Sequence, residues 1–212
     1  MIYKFFNWFT KITAWPVQFF AFRTKIYYED RESQGRKIKG PAVIVSNHTS
    51  VFDYAVLLFV FFSRTCRYLV AELQFEKKIL GPFMKMLGAI RVDRNSFDIS
   101  SVQNAVDVLD AGGVVGIFPE SRIPLPGEEK PLEFKTGAAL ISLMAGVRVI
   151  PVYTDGCYFK RKRARVIIGA PLEPSDYTDD SLSDRENIAN VTKALREKII
   201  MLERLLHEKE EK

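Results

Sequence analysis

Pro41-Ala42-Val43-Ile44-Val45-Ser46-Asn47-His48-Thr49-Ser50-Val51-Phe52-Asp53 is the stretch from which the rest of the chain is read. Ala42 to Val45 is a short, mostly β-branched run, and Val51 to Phe62 is an apolar stretch long enough for a helix. Ser50 with Asp53 three residues on has the form of a capping box, with Asp where Glu or Gln is usual, which sets the helix start at Ser50. The order is therefore strand, turn carrying Asn47 and His48, helix. Two helical residues five apart lie about 140° apart around the axis, so His48 and Asp53 do not share one helical face. With His48 before the helix and Asp53 in its first turn, the carboxylate can reach back to one imidazole nitrogen and leave the other free for a proton. The chain has only two histidines, and His207 lies in a charged C-terminal stretch with no acid at a suggestive spacing. A Ser-x-x-Asp helix start and a structural histidine in a turn are both common, so this stretch alone leaves the structural and the catalytic readings open.

Outward from it the pattern alternates. Strand-like runs recur at Arg67 to Ala71, Ala89 to Val92, Val114 to Phe118, Val147 to Tyr153 and Arg165 to Ile168. Between them, Ile99, Val102, Val106 and Leu109 recur at helical spacing within Asp98 to Ala111, stopped by Gly112-Gly113. Thr136 to Ala145 reads as another helix, and a long amphipathic helix starts near Leu182, carrying Ile188, Val191, Leu195, Leu202 and Leu205. Such alternation predicts a single α/β domain, spanning residues 40–212, whose mixed sheet is largely parallel and flanked by helices. Sites in such sheets form beyond the carboxyl ends of the strands. Three polar clusters hold that position: Asn47-His48, Asp93-Arg94 and Glu120-Ser121-Arg122.

The 212 residues, 47% apolar and 27% charged, suit one globular domain and exclude disordered and fibrous classes. Cys66 and Cys157 stand apart with no CxxC or Cys/His cluster, so neither a metal site nor a disulfide framework is expected, and a reducing, cytosolic side fits best. A net charge of +5 owes much to Lys160-Arg161-Lys162-Arg163-Ala164-Arg165, which serves an anionic lipid, a nucleic acid or a phosphorylated ligand, or is a solvated edge. With no helix-turn-helix, RRM or zinc-finger signature, a nucleic-acid partner is not expected.

Residues 1–30 form a separate N-terminal segment. Phe5, Phe6, Trp8, Phe9, Trp15, Phe19, Phe20 and Phe22 are interrupted by Lys4, Asn7, Lys11, Pro16 and Gln18, too often for a spanning helix. It has no small-residue cleavage site of the signal-peptide kind. Aromatics mixed with basic residues favour the headgroup region, so an amphipathic helical anchor at a membrane interface is expected; the alternative is a helix packed on the domain's own core.

A histidine held by a carboxylate, with arginines nearby, suits deprotonation of an alcohol on a phosphate-bearing substrate. There is no G-x-S-x-G elbow for covalent catalysis, and two histidines support a metal hydrolase poorly. Four ordered blocks then sharpen the reading: Asn47-His48-x4-Asp53, Gly88-Ala89-Ile90-Arg91-Val92-Asp93-Arg94, Phe118-Pro119-Glu120-Ser121-Arg122 and Val149-Ile150-Pro151-Val152. Together they resemble the glycerolipid acyltransferase family, across residues 47–152, about half the chain.

The resemblance implies transfer of a fatty acyl group from an acyl thioester to a lysophospholipid hydroxyl, most simply that of 1-acyl-sn-glycerol-3-phosphate. It implies His48 as general base and Asp53 as the residue that orients it. Arg94, Glu120 and Arg122 would hold the glycerol and phosphate of the acceptor, with Asn47, Ser121 and Lys135 counted among the substrate-contacting residues. Ile150 and Pro151 would support the site or line the acyl path. No cofactor or metal is implied; the partners are the membrane surface, the lysophospholipid and acyl-CoA or acyl carrier protein as donor, and the place is the cytoplasmic face of a membrane, peripheral or monotopic. One block departs from the family pattern: the usual Phe-Pro-Glu-Gly-Thr-Arg is shortened, with Ser121 alone between Glu120 and Arg122. The shorter form resembles the branch that reacylates lysophosphatidylethanolamine. The alternatives are therefore another lysophospholipid acceptor, or a non-catalytic peripheral lipid-binding protein on the same fold.

Overall fold

The computed structural model describes residues 2–93, 99–159 and 163–209. Strands β1 (Lys25–Tyr28), β2 (Ala42–Ser46), β3 (Cys66–Ala71), β4 (Ile90–Val92), β5 (Val114–Ile117), β6 (Val149–Thr154) and β7 (Arg165–Ile168) form one sheet in the order β1-β7-β6-β2-β5-β3-β4. Every pairing is parallel except β6 with β7. The helices are α1 (Ile2–Thr13), α2 (Trp15–Val17, continued by a π-helical turn to Phe22), α3 (Asp53–Val60), α4 (Glu72–Phe75), α5 (Leu80–Met86), α6 (Ile99–Asp110), α7 (Gly137–Met144) and α8 (Asp184–Glu208). The mixed, largely parallel α/β architecture is the one expected.

Both faces of the sheet are covered, which is why β2 reads as an unbroken apolar run rather than an alternating one. Val43 and Val45 point into a layer with Ala105 and Leu109 of α6, Ile141 of α7 and Leu195, Ile199 and Leu202 of α8. Ala42 and Ile44 point the other way, to Val56, Leu57 and Val60 of α3 and to Phe22. Gly116 of β5 leaves the room that the Tyr68 ring fills: a Cβ there would lie 2.3 Å from it.

Two expectations need correction. The N-terminal segment does not run separately to residue 30, because Lys25–Tyr28 joins the sheet edge, pairing Lys25 with Arg165 through Tyr28 with Ile168. Helix α3 starts at Asp53, not Ser50, and no side chain caps it. The Asp53 carboxylate instead takes the backbone N–H groups of Thr49 and Ser50, so the expected box becomes a wound turn before the helix.

Helix α1 is amphipathic, as expected, but its seating is unusual. It buries Asn7 and Lys11 and exposes Ile2, Phe5, Phe9 and Ile12. The Lys11 ammonium donates to the carbonyls of Phe62 and Arg64 beyond the end of α3, at 2.9 and 2.6 Å, and lies over the Trp8 and Phe62 rings. Burial lowers its pKa to about 8. Among the described residues no helix is long and apolar enough to cross a membrane.

Candidate active site

The carboxyl ends of three neighbouring parallel strands, β6, β2 and β5, carry the site. From β2, Asn47 reaches across to β6, donating through Nδ2 to the Thr154 carbonyl and accepting the Thr154 N–H on Oδ1, each at 2.9 Å. The side chain thus continues the β2–β6 ladder one step past the strand and fixes where the chain turns. From β5, the buried Glu120 accepts the His48 N–H on Oε1 and the Leu132 N–H on Oε2, both at 2.8 Å. Burial raises the Glu120 pKa, opposed by those two bonds. Asn47 and Glu120 therefore anchor the turn that carries His48, the first to β6 and the second through the His48 N–H. The sequence led to acceptor contact for both; in the structure their polar atoms are committed to the main chain.

The His48 ring stacks on Phe118, centroids 4.5 Å apart and planes 21° apart, and Phe118 stacks in turn on Tyr68. Nδ1 lies 2.8 Å from Oδ2 of Asp53, which is fully buried. Every other hydrogen-bond partner of the Asp53 carboxylate among the described residues is a donor. Oδ2 also takes the N–H groups of Thr49 and Ser50, at 2.6 and 2.9 Å, and Oδ1 takes the hydroxyls of Thr49 and Tyr158, at 2.8 and 2.6 Å. A carboxylate so surrounded accepts from Nδ1–H, which fixes the tautomer and leaves Nε2 as the proton acceptor. Nε2 has no partner among the described residues, and the His48 side chain keeps 18% of its surface exposed.

The loop after β6 completes this arrangement. Asp155 pins it, accepting from the N–H of Cys157 and from the backbone and Nε of Arg165. Gly156, at φ +66°, abuts Thr49, and a Cβ there would lie 2.5 Å from the Thr49 hydroxyl. Tyr158 then turns inward to Asp53. Burial and the neighbouring Asp53 carboxylate push its phenol well above the ordinary tyrosine range, so it stays a donor. The sequence reading missed Thr49, Gly156 and Tyr158. The rule that sites collect after strand ends, applied to β2, β4 and β5, would also have drawn attention to the residues that follow Thr154.

The other predicted residues sit further out. Ser121 adopts φ +61°, the left-handed conformation that the usual glycine of this block takes freely, and it sends Glu120 inward and Arg122 outward. Arg122 is exposed and paired in two places with Glu128, at 2.6 and 2.7 Å, which pulls the Glu128 carboxyl down to about 2. Lys135 is exposed, with its N–H on the Pro119 carbonyl. Ile150 and Pro151 are buried within β6 beside β2. Arg94 lies outside the described residues. Among the described residues no His, Cys, Asp and Glu cluster could hold a metal ion.

Fold and site together define a class: an α/β protein that presents a carboxylate-held imidazole at the strand ends, suited to taking a proton from a hydroxyl. The Acyltransferase family model matches residues 16–155. The 1-acyl-sn-glycerol-3-phosphate acyltransferase of Bacillus subtilis (strain 168) is 31% identical over 169 residues, 77% of this chain and 82% of that protein. A protein of the same name from Streptococcus pneumoniae (strain ATCC BAA-255 / R6) is 28% identical over 154 residues, 70% of this chain and 56% of that protein. The crystal structure of the 1-acyl-sn-glycerophosphate (LPA) acyltransferase PlsC from Thermotoga maritima superposes with a TM-score of 0.66 over 95% of this chain and 80% of that one, at 20% identity. The chain belongs to the acyltransferase family, and it is an O-acyltransferase rather than a non-catalytic lipid binder.

Proposed function

We propose that the enzyme acylates the free hydroxyl of 1-acyl-sn-glycerol-3-phosphate at a membrane surface, with His48 as general base. The single observation that carries the mechanism is the His48–Asp53 pair, with Nδ1 bound to the carboxylate and Nε2 left as the proton acceptor. The acceptor hydroxyl gives its proton to Nε2 as its oxygen attacks the thioester carbonyl. The ester C–O bond forms, the C–S bond breaks, and the imidazolium returns the proton to the departing thiolate. No protein group becomes acylated and no cofactor takes part; acyl-CoA or acyl carrier protein enters as co-substrate. The relatives' names supply the acceptor, and Arg122, the basic residue of the third block, supplies charge for its phosphate.

The membrane reading rests on α1 and α2. Their exposed Phe5, Trp8, Phe9, Ile12, Trp15, Phe19 and Phe20 make an apolar surface too large to be incidental. Beside it, Arg23 and Arg163 line a 510 Å³ cavity with Trp15, Phe19 and Phe20, where an anionic headgroup can sit. The association proposed is peripheral, on the cytoplasmic face of the membrane.

A second acceptor is favoured by one observation. Glu128 already neutralises Arg122, and such a pair suits a phosphodiester bearing an ammonium, as in lysophosphatidylethanolamine. A panel of lysophospholipids against acyl-CoA and acyl carrier protein decides, by initial rates. Lysophosphatidate is expected to be the best acceptor; a clear preference for lysophosphatidylethanolamine overturns that choice. His48→Ala should lose about 10²- to 10⁴-fold in turnover with the fold intact by circular dichroism. Substantial turnover in that variant removes the mechanism.

A further inference from the structure

We propose that Tyr158 is a positioning residue for acyl transfer, acting through Asp53 on His48; this rests on His48 being the base. It lies outside the four sequence blocks and 105 residues from the aspartate it serves. Its hydroxyl donates to Asp53 Oδ1 at 2.6 Å and lies 2.7 Å from the Thr154 hydroxyl. With the phenol O–H donated to Asp53, Thr154 donates its own hydroxyl to the phenol oxygen. The result is a chain from the end of β6 to the imidazole: Thr154, Tyr158, Asp53, His48.

Among the described residues Asp53 Oδ1 has two partners, the hydroxyls of Thr49 and Tyr158. Thr49 belongs to the same turn as His48 and moves with it. Tyr158 comes from the loop after β6, the strand beside β2, so it is the donor that ties the carboxylate plane to a second strand. That plane sets the line of the Oδ2 bond to Nδ1, and with it the direction of Nε2. The phenol ring is itself held: it packs edge-on against Phe22 at 5.5 Å, and Phe22 closes the N-terminal helical segment while also touching Phe52 and Phe159. The pointing of the base is thereby fixed by two parts of the chain that the motif blocks do not include.

The test is Tyr158→Phe in the full-length enzyme, which keeps the ring and its packing and removes only the donor. A bond to a buried carboxylate supports a loss of about 10- to 100-fold in kcat. KM for acceptor and donor should stay within about twofold, because nothing that touches substrate is changed. The second readout is imidazole nitrogen NMR, made simple by a chain with two histidines in which the exposed His207 serves as reference. His48 should show one Nδ1–H tautomer in the wild type and a mixture or broadened signal in Tyr158→Phe. Unchanged kcat overturns the proposal, as does a fall in kcat with an unaltered His48 signal. His48→Ala is assayed in parallel: if it is inactive while Tyr158→Phe is fully active, only the role of Tyr158 falls. If His48→Ala itself turns over, the reading beneath it fails.

Discussion

Helices α1 and α8 are both amphipathic, and they are seated in opposite senses. Helix α8 turns Val191, Leu195, Ile199, Leu202 and Leu206 inward, at spacings of four, four, three and four, and its charged side chains outward. Helix α1 turns Asn7 and Lys11 inward and leaves Ile2, Phe5, Phe9 and Ile12 outside. The difference shows that an amphipathic pattern reports two faces without reporting which one meets the domain. What decides is the partner surface: α8 lies on the bare apolar face of the sheet, whereas α1 meets the open carbonyls of Phe62 and Arg64, which need donors. An inverted helix makes sense when a second apolar phase lies outside.

The largest blow to this contrast comes from truncating the apolar face of each helix, the buried one in α8 and the exposed one in α1. Leu202→Ala in α8 removes a wholly buried side chain packed near Gly169 and should lower the unfolding free energy by about 2–5 kcal/mol in urea titration. Phe5→Ser with Phe9→Ser in α1 should leave the urea midpoint nearly unchanged, because neither ring is core. The same double variant should bind liposomes about 10- to 100-fold more weakly, since each aromatic loses its apolar surroundings there. A large stability loss in the double variant, with membrane binding intact, would make α1 an ordinary packed helix and end the comparison.

A smaller effect separates the helix ends. Ser183 and Glu186 form a complete capping box at the start of α8, each side chain bonded to the other's backbone N–H. Ser183→Ala should therefore cost about 1 kcal/mol, with early hydrogen exchange confined to the first turn. Loss across the whole of α8 would mean that its apolar stripe contributes less than its burial indicates.

The same contrast explains what the sequence could and could not reveal. Six strands were legible because buried parallel strands must be apolar runs, and α6, α7 and α8 because their stripes face a sheet. Strand β1 was not, since Lys25-Ile26-Tyr27-Tyr28 is a four-residue edge piece whose partner strand, β7, lies about 140 residues on. His48 and Asp53 were legible from local spacing. The donors that hold Asp53 were only half visible: Thr49 and Ser50 are neighbours in sequence, whereas Tyr158 arrives through the fold. Glu120 was found for its position but given a different job, because a sequence shows that a carboxylate is near a site and not that its oxygens are taken by two N–H groups.

The finest test concerns Lys11, the residue that makes α1 inverted. In the folded protein burial holds its pKa near 8, against 10.5 for an ordinary lysine. Below pH 8 both folded and unfolded chains carry the proton, and stability is insensitive to this group. Between pH 8 and 10.5 the unfolded chain holds a proton that the folded chain lacks, so the unfolding free energy rises with pH; above 10.5 it is flat again. Subtracting the stability curve of Lys11→Met cancels the other titrating groups and should leave a rise of about 1 kcal/mol from pH 8 to 9. A flat difference would mean that the ammonium is solvated, and with it that the polar face of α1 is not the docked one.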